Sequence, residues 1–325
     1  MRLEATLRYL GIALAIFTLA VPFLGHPGLA DTAFRTCTLV MIAISWNMMA
    51  GAGLISLGHS GFWGVGAYAA VLLANSLGIP FFPSLIGAIV GGALIGLGLA
   101  SITGRLKGIY FAIATLAMSE GFRVLAIMLP ELTGGAQGVY LNSDLFPGST
   151  TVYAMASAGA VIAALVSWAL SRTRSHYAFR AMRANERAAQ MVGINPMRYR
   201  MLIVTISGAM ASYAGAISSW NGGYLDPAIA FSLHTTVMSQ IAPILGGIYT
   251  LSGPILGTIA TMALGEATRL WFGSLEGVSL LFFGIALVAC VVYLPLGIRG
   301  GLDRWAASRA GANQSQRRVG PEGGQ

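Results

Sequence analysis

Apolar runs of about twenty residues follow one another from residue 8 to residue 296, separated by short polar connections. This recurrence constrains the fold more than any motif does. At 1.5 Å per residue such a run makes a helix of about 30 Å, the thickness of a bilayer's hydrocarbon core. Only helices and closed barrels satisfy their own backbone hydrogen bonds in lipid, and these runs are continuous rather than alternating. The chain therefore reads as an all-α, polytopic membrane bundle. Composition agrees: 9% of residues are charged and 56% hydrophobic, against about a quarter charged in a soluble domain.

Ten spans are expected, near 8–25, 33–50, 54–75, 82–103, 108–129, 151–170, 200–220, 235–249, 253–272 and 277–296. The eighth is short enough to be tilted or broken. Threading them from a cytoplasmic N-terminus places 16 of the 19 basic residues on the inner side, seven of them between 172 and 200. Arg123 and Arg269 fall within spans, and Arg35 alone lies outside. The positive-inside rule thus favours ten spans with both ends in the cytoplasm. Residues 1–300 form the transmembrane domain with an inner loop at 171–200, and the polar, Gly-rich 301–325 reads as a disordered cytoplasmic tail. The first span reads as an uncleaved signal-anchor, with cleavage near "GLA" (28–30) as the alternative. Trp168, Trp220 and Trp271 fall near span ends, where interfacial anchors belong.

Charge +8 would suit a nucleic-acid binder, but its confinement to one side of the membrane points to topology instead. Cys37 and Cys290 sit in separate apolar runs and read as free buried thiols. The four histidines lack metal-ligand spacing, so no metal site is expected.

Small residues recur every four positions at Gly92, Gly96, Ala100 and Gly104, at Ser207, Ala211, Gly215 and Ser219, and at Gly253, Gly257, Thr261 and Gly265. Such stripes let helix backbones approach closely. The stretch "GLISLGHSGFWGVGAYAA" (53–70) is denser in glycine and carries His59 and Ser60. It is either a tightly packed helix with a satisfied histidine or a break lining a wet cavity. "SEGFR" and "GEATR" share Glu-x-x-Arg, so Glu120 faces Arg123 and Glu266 faces Arg269 one helical turn apart. Each reads as an intramembrane ion pair that makes its segment insertable, or as a polar lining near the outer end of a pathway.

Between Tyr177 and Val192 the inner loop has helical composition, with Phe179, Met182, Met191 and Val192 as apolar contacts. Gly193 is placed to end that helix and Asn195-Pro196 to prevent its continuation. The helix either lies on anionic lipid or serves as a docking knob for a partner.

The chain resembles permease subunits of the branched-chain amino-acid class of ABC importers over residues 35–300. The resemblance rests on 53–70, "GIYFAIATLAMSEGFR" (108–123), "LTGGAQGV" (132–139), "AFRAMRANERAAQMVGINPMRYR" (178–200) and "LGGIYTLSGPILGTIA" (245–260). "LTGGAQGV" and the ten-span length make it similar to the longer, M-type subunit. The resemblance implies that 178–195 is a coupling helix gripped by a separate ATPase, with Arg183, Glu186, Ala188, Ala189 and Gly193 as candidate contacts. The EAA-x3-G pattern of such loops is imperfect here, since Arg187 stands where its glutamate would be. It further implies a pathway near His59, Ser60, Gly61, Phe62 and Glu120, a second similar permease, two ATPase subunits, a periplasmic binding protein and a bacterial inner-membrane location. The expected cargo is leucine, isoleucine or valine, with urea, short amides or other amino acids as same-family alternatives. An ATP-independent carrier is the rival class. The chain itself is not expected to be an enzyme or to hold a cofactor, ATP and magnesium belonging to the partners. Its single lysine, Lys107, precedes Gly108 and so cannot complete a Gly-Lys-Ser/Thr phosphate loop.

Overall fold

The structure is a computed structural model that describes residues 27–272 and parts of 281–301. The expected first span, most of the tenth, Cys290 and the tail lie outside the described residues. Helix α1 (Pro27–Gly51) is followed by α2 (His59–Leu77), α3 (Phe81–Thr103) and α4 (Ile109–Met128). A connection then holds the one-turn α5 (Pro130–Thr133) and the short strand β1 (Val139–Tyr140). Next come α6 (Ser149–Ser171), α7 (Arg174–Ala184), α8 (Glu186–Met191) and α9 (Pro196–Gly222). The described chain continues through β2 (Tyr224–Leu225), α10 (Pro227–Ala230), α11 (Leu233–Gly246) and α12 (Gly253–Phe272).

Six helical segments among the described residues are long and apolar enough to cross a membrane: α1, α3, α4, α6, α9 and the α10–α11 unit. The expected eighth span, 235–249, is shifted: the apolar unit runs Pro227–Gly246, the one-turn α10 and a break at Phe231 and Ser232 precede α11, and 247–249 are not helical. The expected span 54–75 is also corrected. Residues 52–58 are not helical, and α2 begins only at His59. Gly53 takes a left-handed conformation (φ 81°), which turns the chain back into the bundle after α1.

Helix α9 is the axle of the molecule, packed along α3 and α2 and against α1 and α6. Small residues decide this. A methyl group on Gly66 would strike the Ser212 backbone, and one on Gly92 the Ser212 side chain. Ser212 itself donates a hydrogen bond to the Phe62 carbonyl at 2.7 Å. In the same way Gly257 of α12 seats against the Ala242 carbonyl of α11. Gly215 of α9 lies likewise against the Trp63 carbonyl, so all three four-residue stripes contribute to helix contacts. Trp220 is a correction: it is fully buried, edge-on to Phe81, and donates Nε1–H to Ser84 Oγ at 3.1 Å. It is a core residue and not an interfacial anchor, whereas Trp168 and Trp271 are exposed.

The connections gather at two ends. At one, β1 pairs antiparallel with β2, and Asn75 beyond the middle of α2 bonds the Tyr140 carbonyl and the Asn142 amide. At the other lie the 104–108 turn, the α7–α8 elbow and the 247–252 turn, joined by polar contacts described below.

Candidate functional site

The start of α2 is buried in the middle of the bundle. His59 meets Ser207, eleven residues into α9 and so about 16 Å from that helix's first residue. A helix start leaves its first N–H groups without intrahelical acceptors, and in a dry interior each must find another. No side chain at Gly58 caps α2. Thr236 of α11 supplies the oxygen instead, accepting from the Ser60 amide at 3.0 Å. The Thr236 hydroxyl donates back to Ser60 Oγ at 2.8 Å, and Ser60 Oγ lies 2.9 Å from Ser119 Oγ of α4. Just upstream, the Leu57 amide donates to Thr115 Oγ1. One helix start thus ties α2 to α4 and α11.

His59 ties α2 to α9 and α1. Its Nε2 lies 3.2 Å from Ser207 Oγ, and Ser207 donates its only hydroxyl proton to the Ser45 carbonyl at 2.9 Å. His59 therefore presents Nε2–H, and its buried Nδ1 is left a bare acceptor. Phe62 stands edge-on to this ring and is also fully buried, its own ring against Gly208. His59, Ser60, Gly61 and Phe62 are thus brought together in one buried seam, the polar side chains packed beside the Phe62 ring. Glu120 follows Ser119 in α4 but turns away, to Arg123 at 2.8 Å, with both side chains partly exposed. Glu266 and Arg269 pair likewise at 2.6 Å.

The elbow differs from the single helix expected over 178–195. It is two helices, α7 and α8, divided at Asn185. Asn185 Oδ1 accepts from the amides of Arg187 and Ala188, capping α8, and Asn195 does the same for α9. Gly193, at φ 86°, closes α8 as its position suggested. Phe179 and Met182 are buried, while Met191 and Val192 are 88% and 76% exposed and form the outward tip, contrary to their expected packing role. Of the five candidate contacts, Ala188 is exposed and Ala189 buried. Glu186 points inward, 2.9 Å from Lys107 and 3.0 Å from the buried Arg200, which also donates to the carbonyls of Gly104 and Leu106. Arg183 lies over the Tyr249 ring at 3.9 Å. Asn47 pins that turn, accepting from the Tyr249 amide and donating to the Thr250 carbonyl.

Sequence reasoning missed Ser119 and Thr236, because a hydroxyl within an apolar run carries no pattern, and it read Ser207 only as a small packing residue, not as a partner of His59. Arg200 and Asn47 were passed over as well. Lys107 was findable: it is the only lysine, and the charge rule already put it on the same side as Glu186.

Taken together, the described chain is a multi-pass helical membrane protein with a buried polar seam at the first turn of α2 and a basic two-helix elbow anchored to the bundle's end. Residues 28–291 match the family described as the branched-chain amino acid transport system permease component, and the chain belongs to that family. It is 26% identical to the high-affinity branched-chain amino acid transport permease LivM of Escherichia coli K12, over 88% of this chain and 73% of that protein. LivH of the same organism is 28% identical over 81% of this chain and 91% of its own length. A D-allose transport permease, AlsC of E. coli K12, is 26% identical over 67% and 64%. Among solved structures, PsaBC of Streptococcus pneumoniae in complex with Fab shares the fold, with TM-score 0.51 at 14% identity over 85% of this chain and 95% of that one.

Proposed function

We propose that this chain is the M-type permease subunit of a binding-protein-dependent ABC importer that carries leucine, isoleucine or valine across a bacterial inner membrane. The observation that carries the reading is the family match along 28–291 together with the LivM relatives, matched over most of both chains. The elbow end, where the arginines of 172–200 concentrate, faces the cytoplasm. The β1–β2 end faces the periplasm and receives cargo from a binding protein. A second permease of LivH type completes the pathway, and two ATPases carry ATP and magnesium.

In this mechanism the permease performs differential binding and no catalysis. The ATPase seats on the exposed tip of the elbow, at Ala188, Met191 and Val192. Force on that tip reaches the bundle through Glu186 and Arg200 into the 104–106 turn and the root of α9. In this reading Phe62, fully buried against Gly208, stands across the route. Passage requires α2 to part from α9, α4 and α11, exchanging the Ser60–Thr236–Ser119 bonds for contacts with the polar groups of the cargo.

The test is uptake into proteoliposomes holding both permeases and both ATPases, with the binding protein added outside. Labelled leucine should accumulate only with ATP inside and be competed by isoleucine and valine. Competition by D-allose or urea in their place would reassign the cargo, and accumulation without ATP would remove the importer class.

A further inference from the structure

The end of the bundle that carries the elbow has a cleft of about 250 Å³ whose contents the transport reading leaves unassigned. His176, Arg180 and Arg183 line it from α7 at positions i, i+4 and i+7, which is one face of that helix. Asn47, Ser171 and Tyr249 line it opposite. No carboxylate is among its lining residues. The nearest acid of the elbow, Glu186, is already committed to Lys107 and Arg200. Among the described residues no carboxylate lies within ion-pair distance of Arg180 or Arg183. Two guanidinium groups and an imidazole thus line the cleft with no carboxylate paired to them among the described residues.

The cleft is built as well as basic. Tyr249 holds a left-handed backbone (φ 66°), unusual for a residue with a side chain. Asn47 clamps it there, and the ring so placed stacks beneath the Arg183 guanidinium at 3.9 Å. Stacking fixes the guanidinium plane while leaving its N–H fork available to a planar or tetrahedral oxyanion. Burial, and then the charges of Arg180 and Arg183, hold His176 below the usual imidazole value. The volume is below the roughly 300–1,000 Å³ of sites that enclose drug-sized ligands. A single phosphate group fits within it.

We propose that this cleft binds a phosphate-type anion, held by Arg180 and Arg183 with His176, Asn47 and Ser171 as further hydrogen-bonding groups. That chemistry has two sources at a membrane surface, an anionic lipid headgroup and free phosphate.

The test uses the full chain in phosphatidylcholine nanodiscs, with diethyl pyrocarbonate modification of His176 followed by peptide mass spectrometry. One arm adds inorganic phosphate at constant ionic strength; the other replaces part of the lipid with phosphatidylglycerol. Slowed modification in the first arm identifies free phosphate, and slowing in the second alone identifies a headgroup. In Arg180→Gln/Arg183→Gln the apparent affinity should weaken roughly tenfold or more, as expected on losing charged donors. If the double variant is not recovered folded, Arg180→Gln alone, at an exposed position, carries the comparison. Unchanged modification of His176 in the wild-type chain in both arms overturns the proposal. So does protection of equal strength in the arginine variants.

Discussion

At the first turn of α2 a single threonine on another helix accepts the Ser60 amide and donates to the Ser60 hydroxyl. Thr236→Val keeps the shape and removes both bonds. The orphaned buried amide costs about 1–3 kcal/mol, so the thermal midpoint of the purified chain should fall by several degrees, while Thr236→Ser stays near wild type. Equal midpoints for the valine variant and wild type would show that the seam does not brace α2. His176 gives a second prediction at this scale. Its pKa is lowered by burial first and by Arg180 and Arg183 next. The folded state therefore binds fewer protons than the unfolded one below the ordinary imidazole value near 6.5. Stability should hold above about pH 7 and decline as pH falls through that value. His176→Gln should flatten this part of the profile, and a profile unchanged by the substitution would contradict the assignment.

Among the elements, the elbow depends on one inward carboxylate. Glu186→Gln leaves Arg200, only 5% exposed, with a buried charge that has lost its counter-ion. Breaking a buried pair from one side costs about 3–5 kcal/mol, whereas the arm to half-exposed Lys107 contributes little, about 0–1 kcal/mol. The expected outcome is a large drop in midpoint for Glu186→Gln, partly restored by adding Arg200→Met. A double variant as unstable as the single one would deny the pairing. The elbow also shows what pattern reading can and cannot recover. Helical composition, Gly193 and Asn195-Pro196 located it, since each acts through its own backbone conformation. The split at Asn185 was hidden, because an asparagine inside a helical run reads as neutral until its side chain is seen to cap. The late start of α2 was hidden for a related reason: residues 54–58 are as apolar as a span, and only their tertiary partners show that they are not helical.

For the whole molecule, the close packing was legible because small residues at four-residue spacing have one physical use in lipid. The polar seam was half legible. His59 and Ser60 stand out against glycine, but their partners come from α1, α4, α9 and α11, brought together by packing alone. The pairing within each Glu-x-x-Arg was legible, since both partners lie one turn apart on the same helix. An unpaired charge at membrane depth costs about 2.5–3.5 kcal/mol on insertion scales. Arg123→Ala should therefore lower the yield of membrane-inserted protein more than Glu120→Ala/Arg123→Ala does, and the reverse order would refute neutralisation as the reason for the pair.

The account rests on the elbow's being the inner handle of the permease, and labelling tests that directly. Val192→Cys, in a background with Cys37 and Cys290 replaced by alanine, is exposed at the tip. A membrane-impermeant maleimide should label it in inside-out vesicles, less so when the ATPases are co-expressed, and leave it untouched in intact cells. Labelling from outside intact cells would contradict the account.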